Sequence, residues 1–222
     1  MAKNFHSEVV VASYDDHIRK LIPGYELVHQ QIEAILSTEL PETAHILVVG
    51  CGTGYELSYL LQRYPDWTFT AIDLSAAMLE QASKNLNSID RQRVKFIQST
   101  IQELHHPDTF DAALAILVAH FIPNSEKNRF FQAIHQCLKT NSLALTYDLM
   151  QPEDQQDIKI MQKLVQQTGL SVVQSTKMIE RLEQDFHLLS TQNFTALLTK
   201  VEFKQCKIYC QIMNYHGFLL RK

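Results

Sequence analysis

The 222-residue chain has little of what breaks or staples a fold: six glycines, six prolines, four cysteines and one tryptophan. Such low glycine and proline exclude a collagen-like or low-complexity disordered architecture. The cysteines, Cys51, Cys137, Cys206 and Cys210, contain no C-x-x-C pair, so neither a disulfide framework nor a zinc knuckle is indicated. Cys206 and Cys210 stand four apart in a segment that reads as a strand, which predicts a shared face. All four thiols are expected to be buried and reduced. Long apolar runs are also missing. The longest, Ala112 to Ala119, has eight residues, against about 20 for a membrane helix. The first residues hold one lysine and a short valine run before acids appear, which is no secretory leader; the expectation is a cytoplasmic protein. Nor is there an excess of positive charge. Residues 1–150 carry 11 basic and 17 acidic side chains, residues 151–222 carry 9 and 7, and the sum is −4. Neither part has the basic footprint that neutralises many phosphates, which argues against nucleic acid as partner. His105 and His106 have no third ligand in view, and no metal is expected.

What is present is alternation. HILVVG (45–50), WTFTAIDLS (67–75), RVKFIQS (93–99), FDAALAIL (110–117) and SLALTYDLM (142–150) read as strands. Helical patterns separate them at 55–64, 76–86 and 125–139, with Ser75 and Ser125 as N-cap candidates. This rhythm predicts βαβ units, a mostly parallel sheet and helices on both faces. Beyond it lie a helix at 153–169 closed by Gly169, a largely helical stretch at 170–189, a helix at 190–201, and two strands split at Met213-Asn214. One domain over 1–222 is expected, with a helical lead-in (1–44), a cofactor-binding half (45–150) and a helical insertion plus β-hairpin (151–222).

The sharpest motif is VVGCGTGYE. Gly50, Gly52 and Gly54 follow a strand and precede a helix, where the backbone must turn tightly and approach a ligand. Asp73 ends the next strand, placed to accept hydrogen bonds from both hydroxyls of a ribose. A dinucleotide fingerprint needs its third glycine at position 55, which is tyrosine. The loop therefore fits a nucleoside ligand without a pyrophosphate.

At this point the chain resembles the class I S-adenosylmethionine (SAM)-dependent methyltransferases. VVGCGTG resembles their first motif, which implies that Gly50, Cys51, Gly52 and Gly54 hold the methionine part of SAM. AIDLS resembles the second, implying Asp73 on the ribose and Leu74 and Met78 at the adenine. FIQSTIQEL and FDAALAILVAHFI resemble the third- and fourth-strand motifs. They imply Ser99, Thr100 and Ile101 beside the adenine and Leu117, Val118 and His120 at the floor of the site. The resemblance also implies the sheet order 3-2-1-4-5-7-6, a Rossmann-like α/β fold with the last strand antiparallel. YDDHIRKLIPGYE (14–26) resembles a lead-in of small-molecule methyltransferases and carboxy-SAM synthases, which implies Tyr25 against the cofactor with Tyr14 and Arg19 close by. Three departures stand out. Val48 occupies the position of an acid that helps hold the methionine ammonium, Thr100 replaces an acid that faces the adenine amino group, and Thr140-Asn141 replaces a glycine pair before strand five.

The implied reaction is methyl transfer from SAM to a small molecule, with S-adenosylhomocysteine (SAH) as product. An O–H or N–H nucleophile needs a positioned base. His120 is the first candidate and Asp148, at the end of strand five, the second. Three rival readings are a tRNA or protein methyltransferase, a carboxy-SAM synthase-like enzyme using Arg19 or Arg181 for the extra carboxylate, and a non-catalytic SAM-binding regulator. The sequence leaves the oligomeric state open, a dimer included.

Overall fold

The computed structural model describes residue 11 and residues 13–222; the expectation about a leader and the start of the lead-in lie outside the described residues. Two helices come first, α1 (Tyr14–Leu21) and α2 (Tyr25–Glu39). Then follow β1 (His45–Val49), α3 (Tyr55–Leu61), β2 (Thr68–Asp73), α4 (Ala76–Asn85), α5 (Ser88–Gln92) and β3 (Val94–Gln98). Next come β4 (Phe110–Ile116), α6 (Lys127–Cys137), β5 (Leu138–Leu149), α7 (Gln155–Gln167), α8 (Val172–Asp185), α9 (Thr191–Lys200), β6 (Gln205–Ile212) and β7 (Tyr215–Arg221). Short 3₁₀ turns occupy Ile101–Glu103 and Ala119–Phe121.

The seven strands form one sheet in the order β3-β2-β1-β4-β5-β7-β6. β1 to β5 run parallel, and β7 pairs antiparallel with both β5 and β6. This is the expected Rossmann-like α/β fold. Period-two alternation explains why both faces are covered. Ile46 and Val48 of β1 enter a core with α1, α2, α3 and α8, while Leu47 and Val49 enter a second core with Phe130, Phe131 and Ile134 of α6 and Phe194 and Leu198 of α9.

Several local expectations are corrected. Ser125 does not cap α6; Glu126 holds that place without a side-chain bond, and the helix stops at Cys137 because Leu138 already enters β5. Where the family has a glycine pair, Asn141 lies inside β5 with φ 65°, a conformation that asparagine tolerates. Cys206 and Cys210 do not share a face. The register of β6 shifts between Ile208 and Cys210, so Cys206 packs in the α6 core and Cys210 in the α1/α2 core. An extra residue reverses the side-chain alternation, as a β-bulge must.

Candidate active site

The parallel strands present their carboxyl ends at one edge, where ligands bind in open α/β sheets. Two carboxylates organise that edge. Asp73, at the end of β2, accepts the Gly52 amide through Oδ2 (2.9 Å) and the Ser75 amide through Oδ1 (2.8 Å). The same strand end takes Gly50 N–H and Cys51 N–H on Ile72 O at 2.8 and 3.0 Å. The glycine loop is thus sewn to β2 by its own backbone. Gly50 has φ 67°, and a Cβ there would stand 2.6 Å from Val118 Cγ2. Gly52 has φ 52° with no atom within 4 Å of its would-be Cβ, and it borders open space.

That space is a cavity of about 410 Å³, within the range of small-molecule sites. Of the residues singled out by sequence, Tyr14, Gly50, Gly52, Asp73, Leu74, Met78, Ser99, Thr100, Ile101, Leu117 and Val118 line it. Cys51 and Gly54 stand behind the loop, not on the cavity wall: Cys51 is buried with its thiol pushed far up by burial. A Cβ on Gly54 would meet Ala82 Cβ of α4 at 2.9 Å. Tyr25 is buried against His29 and Tyr55, ring centroids 4.4 and 5.1 Å apart. Arg19 pairs with Glu26 (3.1 Å) and lies over the Tyr55 ring. Val48 is core, but an acid reaches the loop from α1: Asp15 Oδ1 accepts from Thr53 Oγ1 at 2.5 Å. Thr100 caps the first 3₁₀ turn and brings Glu103 to its own N–H and hydroxyl, which hold that carboxyl below its usual range.

The second carboxylate is Asp148 of β5, fully buried. Its Oδ1 accepts from the His120 backbone N–H (3.2 Å) and bonds to His120 Nδ1 (2.9 Å); its Oδ2 accepts from Thr146 Oγ1. A neutral imidazole that donates Nδ1–H to this carboxylate leaves Nε2 as a lone-pair acceptor. The ring is packed against Phe121 and edge-on to Phe186, centroids 4.4 and 5.0 Å away. It lines a side cavity of about 60 Å³ that shares Tyr14, Leu117, Phe121 and Arg181 with the large one. Leu117 sits between them at φ 60°, a strained backbone of the kind found at ligand sites. The 3₁₀ turn carrying His120 is clamped from below. Buried Lys127 donates through Nζ to Ala119 O and to Ile122 O (2.7 Å for the latter). Burial lowers its pKa to about 8, with Asp148 acting against the shift. Tyr14, pushed well above its ordinary value by burial and then by Glu56, Asp15 and Asp73, remains a neutral phenol and serves as a donor or a wall.

Sequence reasoning missed Phe121, Ile122, Phe130 and Asp185 as wall residues, and named Arg181 only for the carboxy-SAM alternative. Phe121 and Ile122 are the last two residues of the fourth-strand motif itself, FDAALAILVAHFI. Arg181 and Asp185 carried a weaker signal, the i,i+4 spacing of a helix pair. Among the described residues no group of His, Cys, Asp and Glu could hold a metal ion, and no helix is long and apolar enough to cross a membrane.

Fold and loop define a Rossmann-like α/β protein with a glycine-loop cavity at the carboxyl edge of its sheet. The comparisons with known proteins narrow this. Residues 46–141 match the family model described as "Methyltransferase domain". The chain is 27% identical over 227 residues to the carboxy-S-adenosyl-L-methionine synthase of Campylobacter concisus, covering 100% of this chain and 96% of that one. It is 32% identical over 113 residues to the malonyl-[acyl-carrier protein] O-methyltransferase of Priestia megaterium, covering 51% and 37%. The structure of the Burkholderia thailandensis 1,6-didemethyltoxoflavin-N1-methyltransferase, with its substrate and SAH bound, shares the fold. Its TM-score is 0.60 at 16% identity, over 100% of this chain and 92% of that one. Several larger solved chains share the fold at TM-scores of 0.63–0.69, and this chain spans 53–66% of their length. Residues 46–141 thus match a methyltransferase domain, and the whole chain shares the fold of SAM-dependent methyltransferases. The cavity lining is compatible with SAM: Gly52 leaves a path clear to the backbone, Asp73 is a carboxylate of the kind that takes a ribose, and Leu74, Met78 and Ile101 are apolar walls.

Proposed function

We propose that the enzyme methylates a small-molecule acceptor, with His120 as general base and Asp148 as the residue that orients it. The carrying observation is the His120–Asp148 pair: buried, bonded through Nδ1, and lining a small cavity that shares Tyr14, Leu117, Phe121 and Arg181 with the large one. When bound, SAM supplies an electrophilic methyl on a sulfonium. The chain's residues do the rest. Nε2 would take the proton of the acceptor O–H or N–H, leaving the acceptor's oxygen or nitrogen lone pair to displace SAH from the methyl that SAM supplies. Asp148 stabilises the imidazolium that results, a service worth about 10²–10⁴-fold together with the base itself. Tyr14, Leu117 and Phe121 hold the acceptor against the methyl and keep water out. Asp15, at the loop, supplies negative charge for the ammonium that position 48 lacks.

A second reading is synthesis of carboxy-SAM. The full-length similarity to the carboxy-SAM synthases favours it, as does an arginine on the cavity wall. One assay separates the two. The purified enzyme is given SAM and fractionated small-molecule extract, and products are identified by mass. SAH release with an acceptor heavier by one methylene supports methyl transfer. A cofactor heavier by a carboxyl group supports the second reading, and SAM binding with neither product sinks both.

A further inference from the structure

Among the described residues that line the two cavities, Arg181 of α8 is the one lysine or arginine, and it borders both. Its Nε donates to Oδ2 of Asp185, one turn further on, whose side chain is 6% exposed. Nη1 and Nη2 have no hydrogen-bond partner among the described residues. A guanidinium carries five donors in a rigid plane. Anchoring one edge on a buried carboxylate fixes that plane and turns the remaining donors outward. Such a fork matches a second carboxylate in bidentate geometry.

The surroundings give this arrangement its meaning. The side cavity is otherwise walled by Ile18, Leu149, Phe186 and other apolar groups, with His120 at its floor. The Arg181 charge is met by Asp185 and partly by water; what remains for an acceptor is the pair of Nη donors, which a carboxylate satisfies and an apolar group does not. The side cavity, at about 60 Å³, is far below the roughly 150 Å³ that admits a benzene. It takes only the reacting tip of a ligand, and the body lies in the larger cavity. With Asp185 the fork is already neutral overall, so a monoanion on the Nη donors meets one neighbouring carboxylate, and a dianionic phosphate would be repelled by it twice as strongly.

We infer that the acceptor is a small carboxylic acid bearing a hydroxyl or amine, its carboxylate on the Nη edge of Arg181 and its nucleophile at His120. The inference rests on the methyl-transfer reading above. It is tested by calorimetry on the full chain saturated with SAH, using matched probes: 4-hydroxybenzoate against 4-hydroxybenzamide, 3-hydroxybutyrate against its amide, and anthranilate against anthranilamide. The acid of at least one pair should bind about tenfold or more tightly than its amide. Arg181→Gln should abolish that preference and leave SAH affinity within about twofold. Arg181→Lys should keep part of it, since charge remains without the fork. No preference in any pair, absence of binding included, overturns the inference, as does a preference that survives Arg181→Gln. Equal loss of SAH affinity in Arg181→Gln also overturns it, by assigning the arginine to the cofactor's own carboxylate. Failure of the wild-type chain to bind SAH is a different result: it removes the methyltransferase reading itself.

Discussion

Asp73 and Asp148 both stand near the carboxyl ends of parallel strands, yet they are held in opposite ways. Asp73 is half-buried, and its recorded partners are backbone amides of its own loop region, Gly52 and Ser75. Asp148 is fully buried, and it engages the ring and amide of His120, 28 residues away, and the Thr146 hydroxyl. A carboxylate fixed by backbone amides is held at the cavity wall, where a ligand can reach it. One consumed by side chains spends its charge on orienting a neighbour. The first arrangement suits binding and the second suits catalysis, and variants of each centre should separate the two.

The largest effect belongs to the Asp148 centre. His120→Ala should lower turnover by about 10²–10⁴-fold, while calorimetric affinity for SAH stays within about twofold. If affinity falls and turnover at saturation does not, the ring is a wall of the cofactor site, and the division between the two centres fails. Asp73→Ala should show the reverse pattern. Loss of hydrogen bonds to a charged group, roughly 1.5–3 kcal/mol, predicts an SAH dissociation constant about 10–100-fold higher. Unchanged affinity would remove the ribose from Asp73.

A smaller effect sharpens the comparison within the glycine loop. Gly52→Ala adds a methyl group that meets nothing within 4 Å, so only the left-handed backbone, about 1–2 kcal/mol, weighs on stability. Gly50→Ala bears a similar backbone cost and in addition drives its Cβ onto Val118, with overpacking of about 1–3 kcal/mol. Thermal melting should therefore place Gly50→Ala below Gly52→Ala, while Gly52→Ala loses SAH affinity because its methyl enters the cavity. An inverted melting order would mean that Val118 yields without strain.

The two centres also differ in how far they can be read from sequence. Asp73 is legible because its partners lie on the β1–loop–β2 segment, where the glycine spacing dictates the turn and the turn dictates who faces the cavity. The sheet order was legible for a related reason: buried parallel strands announce themselves as apolar runs, and the resemblance supplied the rest. His120 and Asp148 were each visible as polar residues closing strand-like segments, but nothing in the one-dimensional pattern says that they meet. Arg181 and Asp185 lie further still from legibility as wall residues. Their helix has a broad polar face, and only its docking over Tyr14 and Phe121 turns one edge of it into a cavity wall. The cysteine expectation in β6 failed because a single-residue bulge leaves no mark in an otherwise strand-like run.

The last and smallest effect concerns Lys127, which lies beneath the Asp148 centre and has no counterpart at Asp73. Burial lowers its pKa from 10.5 to about 8, against the pull of Asp148. Between those values the unfolded chain holds a proton that the folded chain has released. The unfolded state thus binds more protons, and stability rises with pH across that window, by at most about 1.4 kcal/mol per unit. Below about pH 8 both states are protonated and the contribution is flat. Lys127→Met removes the titration and leaves Ala119 O and Ile122 O without their donor. Chemical denaturation of both proteins from pH 7 to 10.5 should show the wild type's advantage growing with pH above 8. A flat or shrinking advantage would mean that the ammonium stays hydrated, and the turn that carries His120 would then be held by its own hydrogen bonds to Asp148 and to the His187 amide.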